Sequence, residues 1–356
     1  MVRAAVLRSA DGPFRIEEVK LGEPGPHEVL VRVVAAGMCH TDAMARMIFN
    51  GPAVVGHEGA GVVEAVGSAV TTLAPGDHVV LTFDSCGTCP VCARAMPYHC
   101  TAFEALNLGL GGHGRAPSAT SDTGEQVGNR WFGQSSFAEY CISTERNTVK
   151  VDPTVPLELL APLGCGVTTG AGSVLNVMRL RPGDRLAVFG AGAVGLAAVL
   201  AAKAAGAGEV VAVDPHENRR TLALELGADR ALEPSEVAGL RGFDFSFDTT
   251  ARASAMSAAV DALGRPGLCV LVGAGQESLT ILPALMPGKT ITYAYMGHAN
   301  PPVFIPELIR LWQSGRFPFD ALTKSFPLAD INEAENASAI GTVIKPVLLM
   351  KEEADG

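Results

Sequence analysis

Arg185-Leu186-Ala187-Val188-Phe189-Gly190-Ala191-Gly192-Ala193-Val194-Gly195 reads as an apolar strand that runs into a glycine-rich turn, and residues 196–205 continue it as an apolar helix. A second apolar run, Glu209 to Val213, follows and ends at Asp214. A strand, Gly-x-Gly-x-x-Gly, a helix, a strand and an acidic residue about twenty positions on form the unit that binds a dinucleotide. Gly190 makes the tight turn, Gly192 admits the pyrophosphate, and Gly195 lets helix and strand pack closely, with the helix N-terminus facing the phosphates. Asp214 can accept hydrogen bonds from the adenosine ribose, whereas a 2′-phosphate there would be repelled by about 4 kcal/mol at contact in a medium of moderate effective dielectric. NAD is therefore expected rather than NADP. Arg219, five residues on, could take a phosphate or equally a ribose hydroxyl.

Working outward from this unit, strand and helix alternate from about Pro153 to Tyr293. Residues 157–163 and 166–177 predict helices with Cys165 between them. Residues 243–248 and 268–273 predict the later strands of a doubly wound sheet, with Gly273-Ala274-Gly275 at a strand end where a ligand can approach the backbone. Upstream, residues 1–152 show short apolar runs separated by turn residues, a mostly β pattern. Residues 101–130 are polar and Gly-rich and read as a long surface loop, and Trp131 to Phe137 return the chain to strand. Downstream, residues 306–313 and 328–340 predict helices and residues 343–350 a last strand that returns to the first domain. The expected fold is α/β, a Rossmann doubly wound parallel sheet domain plus a mostly β domain. Its boundaries fall at residues 1–166, 167–296 and 297–356.

The 356 residues suit two domains, and 48% apolar content suffices for substantial cores. A net charge of −10 with no basic run argues against nucleic acid as a partner. No apolar stretch of transmembrane length is uninterrupted, and the N-terminus does not read as a secretory signal, so a cytoplasmic location is expected, with no membrane partner.

Cys86-Gly87-Thr88-Cys89-Pro90-Val91-Cys92, with Cys100 beyond it, places four thiols in one short loop. That is the ligand set of a closed, structural zinc site. An iron–sulfur cluster is the competing reading, and disulfides suit short secreted chains better than this one. Elsewhere, Gly56-His57-Glu58-Gly59-Ala60-Gly61 sets an imidazole beside a carboxylate at a glycine-rich strand start, and Gly37-Met38-Cys39-His40-Thr41-Asp42 ends a strand and opens a helix. Read alone, a histidine there is more often an ordinary packed residue than a metal ligand.

Taken together, Cys39-His40-Thr41-Asp42, the segment from Gly56 to Gly61, and Leu163-Gly164-Cys165-Gly166-Val167-Thr168-Thr169-Gly170-Ala171-Gly172 resemble the zinc-dependent medium-chain dehydrogenase/reductase family along nearly the whole chain. Within it they are most similar to the aryl-alcohol (benzyl-alcohol) dehydrogenases. The resemblance implies that the β-rich domain is GroES-like and catalytic. It also implies two zinc ions per subunit: a catalytic one on Cys39, His57 and Cys165, and a structural one on Cys86, Cys89, Cys92 and Cys100. Asp42 would hold the other imidazole nitrogen of His57, and Glu58 would stand behind the metal and be able to approach it. Thr41 would take the alcohol proton, and His40 would sit near the cofactor pyrophosphate. Thr169 and Val194 would pack on the nicotinamide, and Lys345 could reach the pyrophosphate or hold a surface or core place.

The chain departs from the family in two places. The histidine that ends the proton relay in many relatives falls at Met44, with Arg46 as a candidate substitute against a plain surface arginine. Residues 46–55 are short, which would widen the substrate cleft for a bulky aromatic or terpenoid alcohol. Cys141 and Cys269 read as buried small hydrophobes, and His27, His78, His113, His216 and His298 as bystanders. The leading expectation is interconversion of primary alcohols, aryl or allylic preferred, and aldehydes with NAD in a homo-oligomer (dimer or tetramer). A thiol-dependent formaldehyde dehydrogenase of the same family is the alternative, and a zinc- and nucleotide-binding module without turnover is a third reading.

Overall fold

The computed structural model describes residues 1–49, 51–109 and 116–351; His113 and part of the expected loop at 101–130 lie outside them. The chain forms two compact units. The first comprises Met1–Cys165, Asn300–Pro306 and the chain from Thr323, and the second comprises Gly166–Ala299 and Glu307–Leu322.

The second unit is built on a six-stranded, all-parallel sheet. Its strands run in the order Arg230–Leu232, Glu209–Val213, Arg185–Phe189, Phe243–Asp248, Leu263–Leu271, Lys289–Tyr293. Arg185–Phe189 and Glu209–Val213 are apolar without alternation and buried from their second residue on, as strands covered on both faces must be. The helix Ala193–Ala204 follows the first of them; its run of Ala, Val and Leu is buried almost all round, which identifies it as an interior helix. Strand order reverses beside Arg185–Phe189, the topological switch point where open α/β sheets bind ligands.

The first unit holds two sheets. A seven-stranded one carries Glu28–Gly37 at its centre, paired antiparallel with Glu58–Val66, Tyr140–Thr144 and Lys345–Leu349. Pairing of Gly37 with both Glu58 and Val347 brings three distant parts of the chain to one place. The second sheet, of five strands, contains Ala119–Ser121 and Gln126–Val127, which pair with each other.

The stretch 101–130 is thus not a structureless loop. It contains the helix Phe103–Leu108 and that hairpin. Asn107 makes the helix possible amid polar sequence, because its side chain is fully buried, bonding Asp84 and the carbonyl of Phe103. Trp131 opens a 3₁₀ turn, Trp131–Gly133, rather than a strand, since Phe132 and Ser135 adopt positive φ of 49° and 54°. The helix expected from residue 306 begins at Pro301, with Pro306 inside it. Among the described residues no helix is long and apolar enough to cross a membrane.

Candidate active site

The strand Glu28–Gly37 ends two residues before Cys39, which stands in extended conformation at the N-terminus of the helix His40–Ile48. Asp42, in the first turn of that helix, accepts the Cys39 backbone N–H through Oδ2 at 3.0 Å, which fixes the turn. Cys165 follows the 3₁₀ turn Ala161–Gly164. Gly164 is required there because a Cβ would run into the Leu81 carbonyl and the Glu58 Cα, and Thr82 Oγ1 donates to the Gly164 carbonyl at 2.8 Å. These local constraints converge. One ligand atom from each of Cys39, His57, Glu58 and Cys165 lies within 4.8 Å of the others.

His57 is 1% exposed, and its Nδ1 is 2.7 Å from Asp42 Oδ1. Its Nε2 is buried with no hydrogen-bond partner. A buried ring nitrogen is costly to leave unpaired, and this one stands among two sulfurs and a carboxylate, a donor set that zinc satisfies. The hydrogen bond from Cys165 holds the Cys39 thiol well below its ordinary range, against burial and with help from Lys345 and His57. The same bond, with burial, pushes Cys165 well above. Two thiols this close are a pair whose protons a divalent cation would displace on binding.

Of the places expected for Lys345, the pyrophosphate, the surface or the core, it takes the core. It is 2% exposed and donates to both Glu58 oxygens at 2.9 Å and to the Met38 carbonyl at 3.0 Å, so its ammonium is used inside the fold. Burial works against its charge, but Glu58 and the two thiols outweigh burial and raise its pKa. Glu58 is fully buried, and burial raises its pKa despite Lys345. Arg46 is likewise unavailable as a relay end, because its guanidinium pairs bidentately with Glu335 at 2.8 and 2.9 Å and donates to the Ala10 and Gly12 carbonyls. His40 is exposed at the helix start, Thr41 is half-buried with Oγ1 3.7 Å from Cys39 Sγ, and Met44 is half-buried.

Aromatic and amide groups that sequence reading left unassigned complete the surroundings. Phe132 stacks on His57 with centroids 4.5 Å apart, and Trp131 Nε1 donates to Asp42 Oδ1 at 3.0 Å. Gln134 donates to the His57 carbonyl and accepts the Gly59 N–H, pinning the strand start. The adjacent aromatic pair in Trp131-Phe132-Gly133-Gln134 was the available signal.

The cysteine quartet forms a second cluster, all four sulfurs within 4.8 Å of one another. Zn–S bonds of about 2.3 Å place tetrahedral ligand sulfurs about 3.8 Å apart, and Cys86 and Cys92 stand at 3.9 Å. All four cysteines are free of disulfides. Backbone N–H groups of Cys86, Cys89, Cys92 and Ala102 point at sulfurs of the quartet at 3.2 to 3.4 Å, which favours thiolates. Cys89 is drawn down to about 5 by such donors at Thr101 and Cys92, whereas burial and the neighbouring thiols push Cys92 up to about 12. A multi-iron cluster would splay the sulfurs beyond a single-ion shell.

In the second unit Gly190 turns with φ of 94°, and no atom lies within 4 Å of where a Gly192 Cβ would sit, so the cradle above the helix N-terminus is open. Gly195 faces the Gly190 carbonyl, and Val194 is half-buried on the first turn. Asp214 ends its strand with Oδ2 accepting the Ala191 N–H and Oδ1 near the His216 ring at 2.9 Å; Arg219 lies 3.8 Å from Oδ2. Thr169 is buried with its hydroxyl on Met296 Sδ, and Gly273 packs against the Ala251 backbone. Cys141 and Cys269 are buried in strands.

The alcohol dehydrogenase GroES-like domain profile matches residues 25–153, and the zinc-binding dehydrogenase profile matches residues 193–313. A geraniol dehydrogenase from Castellaniella defragrans is 41% identical over 98% of this chain and 97% of its own. The crystal structure of an alcohol dehydrogenase zinc-binding domain protein from Burkholderia ambifaria superposes with a TM-score of 0.94 at 45% identity, covering 99% of each chain. That of benzyl alcohol dehydrogenase from Acinetobacter calcoaceticus gives 0.93 at 40% identity, over 98% of this chain and 99% of its own.

Proposed function

The chain belongs to the zinc-dependent medium-chain alcohol dehydrogenases, and from that membership we propose that it oxidises allylic and benzylic primary alcohols to aldehydes with NAD, and catalyses the reverse reduction. The observation that carries the reading is the unpartnered, buried His57 Nε2 facing Cys39 and Cys165. Three protein ligands leave a fourth position for substrate, the arrangement of a catalytic rather than a structural zinc.

Zinc bound there would supply Lewis acidity that brings an alcohol hydroxyl into the physiological pH range, and NAD would accept the hydride. The protein's own groups do the rest. Asp42 holds His57 by Nδ1, so that Nε2 would be the nitrogen offered to the metal. Thr41 Oγ1, beside Cys39, would receive the alcohol proton and release it to water at the half-exposed start of the helix. Lys345 holds Glu58 by both oxygens, so this fourth potential ligand leaves the substrate position free. Asp214, the acidic residue that follows the second strand of the Gly-x-Gly-x-x-Gly unit, supports NAD over NADP. Geraniol is allylic and benzyl alcohol benzylic, so the relatives that act on them support this substrate class.

NADH formation with NAD and a panel of primary alcohols tests the proposal. Geraniol and benzyl alcohol should give kcat/KM values at least about 10-fold above those of short aliphatic alcohols, since a buried apolar ring or chain supplies one to a few kcal/mol. Turnover only with formaldehyde plus a small thiol would transfer the assignment to the thiol-dependent reading, and no turnover would leave a binding module.

The cysteine quartet is proposed to hold a second zinc that stabilises its loop. Cys89→Ser should lose one equivalent of zinc and lower the melting temperature, because binding free energy at such a site is folding free energy. Unchanged zinc content and melting would remove the assignment. A homo-oligomer is also proposed. Lys289–Tyr293 is a sheet edge, and Ile281, Leu282, Leu285, Tyr293 and Tyr295 are exposed in and around it. Sedimentation at the 36.8 kDa of one chain would rule this out.

A further inference from the structure

Asp42 serves more donors than His57. Its Oδ1 accepts from His57 Nδ1 at 2.7 Å, from Trp131 Nε1 at 3.0 Å and from the Gly56 N–H at 3.2 Å, while Oδ2 accepts from Cys39. The indole is locked in place. Trp131 is 1% exposed, packs edge-on against Phe49 at 5.7 Å, and gives its backbone N–H to Ser135 Oγ, which in turn donates to the Val54 carbonyl. The next residue, Phe132, carries the ring that lies over His57. A carboxylate oxygen has two lone-pair sites, so an oxygen shared by three donors draws less on each than one shared by two.

From this geometry we infer that Trp131 is a positioning residue of the metal centre: its indole N–H competes for the Asp42 oxygen that orients His57, and so limits how strongly the imidazole donates to the metal. The carboxylate behind a metal-bound histidine raises the basicity of that ligand. Trp131 opposes this effect and keeps the metal more electrophilic. The inference rests on Cys39, His57 and Cys165 being the catalytic metal ligands.

Trp131→Phe removes the donor and keeps an aromatic ring. Asp42 then accepts more strongly from His57, the imidazole donates more electron density, and the metal is held more tightly while becoming a weaker Lewis acid. Direct partners of metal ligands change affinity or activity by about 10- to 100-fold, so one layer further out the expected effect is about 3- to 10-fold. The test uses enzyme carrying cobalt(II) at this centre and zinc in the cysteine quartet. In Trp131→Phe, loss of the cobalt–thiolate absorption to a chelator should slow at least about 3-fold, and kcat should fall with KM for the alcohol little changed. A purely structural role predicts the opposite, a loosened site that releases metal faster. Phe49→Leu, which loosens the packing but keeps the indole N–H, should not slow release. Release from Trp131→Phe at the wild-type rate or faster overturns the inference, as does slowing in both variants. The metal reading is checked separately, by a cobalt–thiolate band in the wild type that Cys39→Ser abolishes; absence of that band overturns both.

Discussion

Cys39→Ser should lower kcat/KM for alcohol oxidation by at least about 10³-fold while leaving the protein folded. The loss follows from the metal. The Lewis acid contributes several kcal/mol to the transition state, and about 4 kcal/mol corresponds to 10³ in rate. Retention of the fold follows from position, because Cys39 is the half-buried N-terminal residue of the helix His40–Ile48, and serine is among the preferred residues at such a site. The Cys39 backbone N–H still reaches Asp42 in the variant. Steady-state kinetics, zinc content and thermal melting together separate the outcomes. Turnover near the wild-type rate would exclude Cys39 as a ligand of the reacting centre.

The second large effect is on stability. Lys345→Met should destabilise the protein by about 3–5 kcal/mol, the usual cost of removing one partner from a buried ion pair. Glu58 is fully buried and receives two bonds from Lys345, so the variant leaves a buried carboxylate without its cation. It must either remain charged at high cost or take up a proton. Glu58→Gln combined with Lys345→Met should recover much of the loss, because a neutral amide is far cheaper to bury. Urea denaturation midpoints of the two variants give the comparison. A Lys345→Met protein within about 1 kcal/mol of wild type would show that the pair contributes far less than a buried bridge should.

What could be read from the sequence was what is local. Gly190, Gly192, Gly195 and Asp214 announce their unit because strand, turn and helix succeed one another within thirty residues. The cysteine quartet announces a single ion because all four thiols fall in one loop. Cys39, His57 and Cys165 were legible only through family resemblance, since nothing local says that a strand end, a strand start and a 3₁₀ turn will meet. Which of its expected places Lys345 would take was undecidable for the same reason. Its partner is 287 residues away, and the meeting depends on register, with Gly37 opposite both Glu58 and Val347. Arg46 could not be told from a relay candidate because Glu335, its partner, is equally remote in sequence. Trp131 gave no periodic signal, for a 3₁₀ turn with a left-handed residue has none.

The Glu58–Lys345 pairing also has a consequence for biosynthesis. All the proposed ligands of both zinc ions have left the ribosome soon after position 165, but the cation that neutralises Glu58 lies 287 residues beyond it. At about 5–20 residues per second, that gap is about 15–60 s of translation. Over that interval the whole six-stranded parallel sheet is synthesised, while the seven-stranded sheet still lacks Lys345–Leu349. Nascent chains stalled before residue 345 should therefore be protease-resistant in the dinucleotide-binding unit and cleavable in the zinc-binding one.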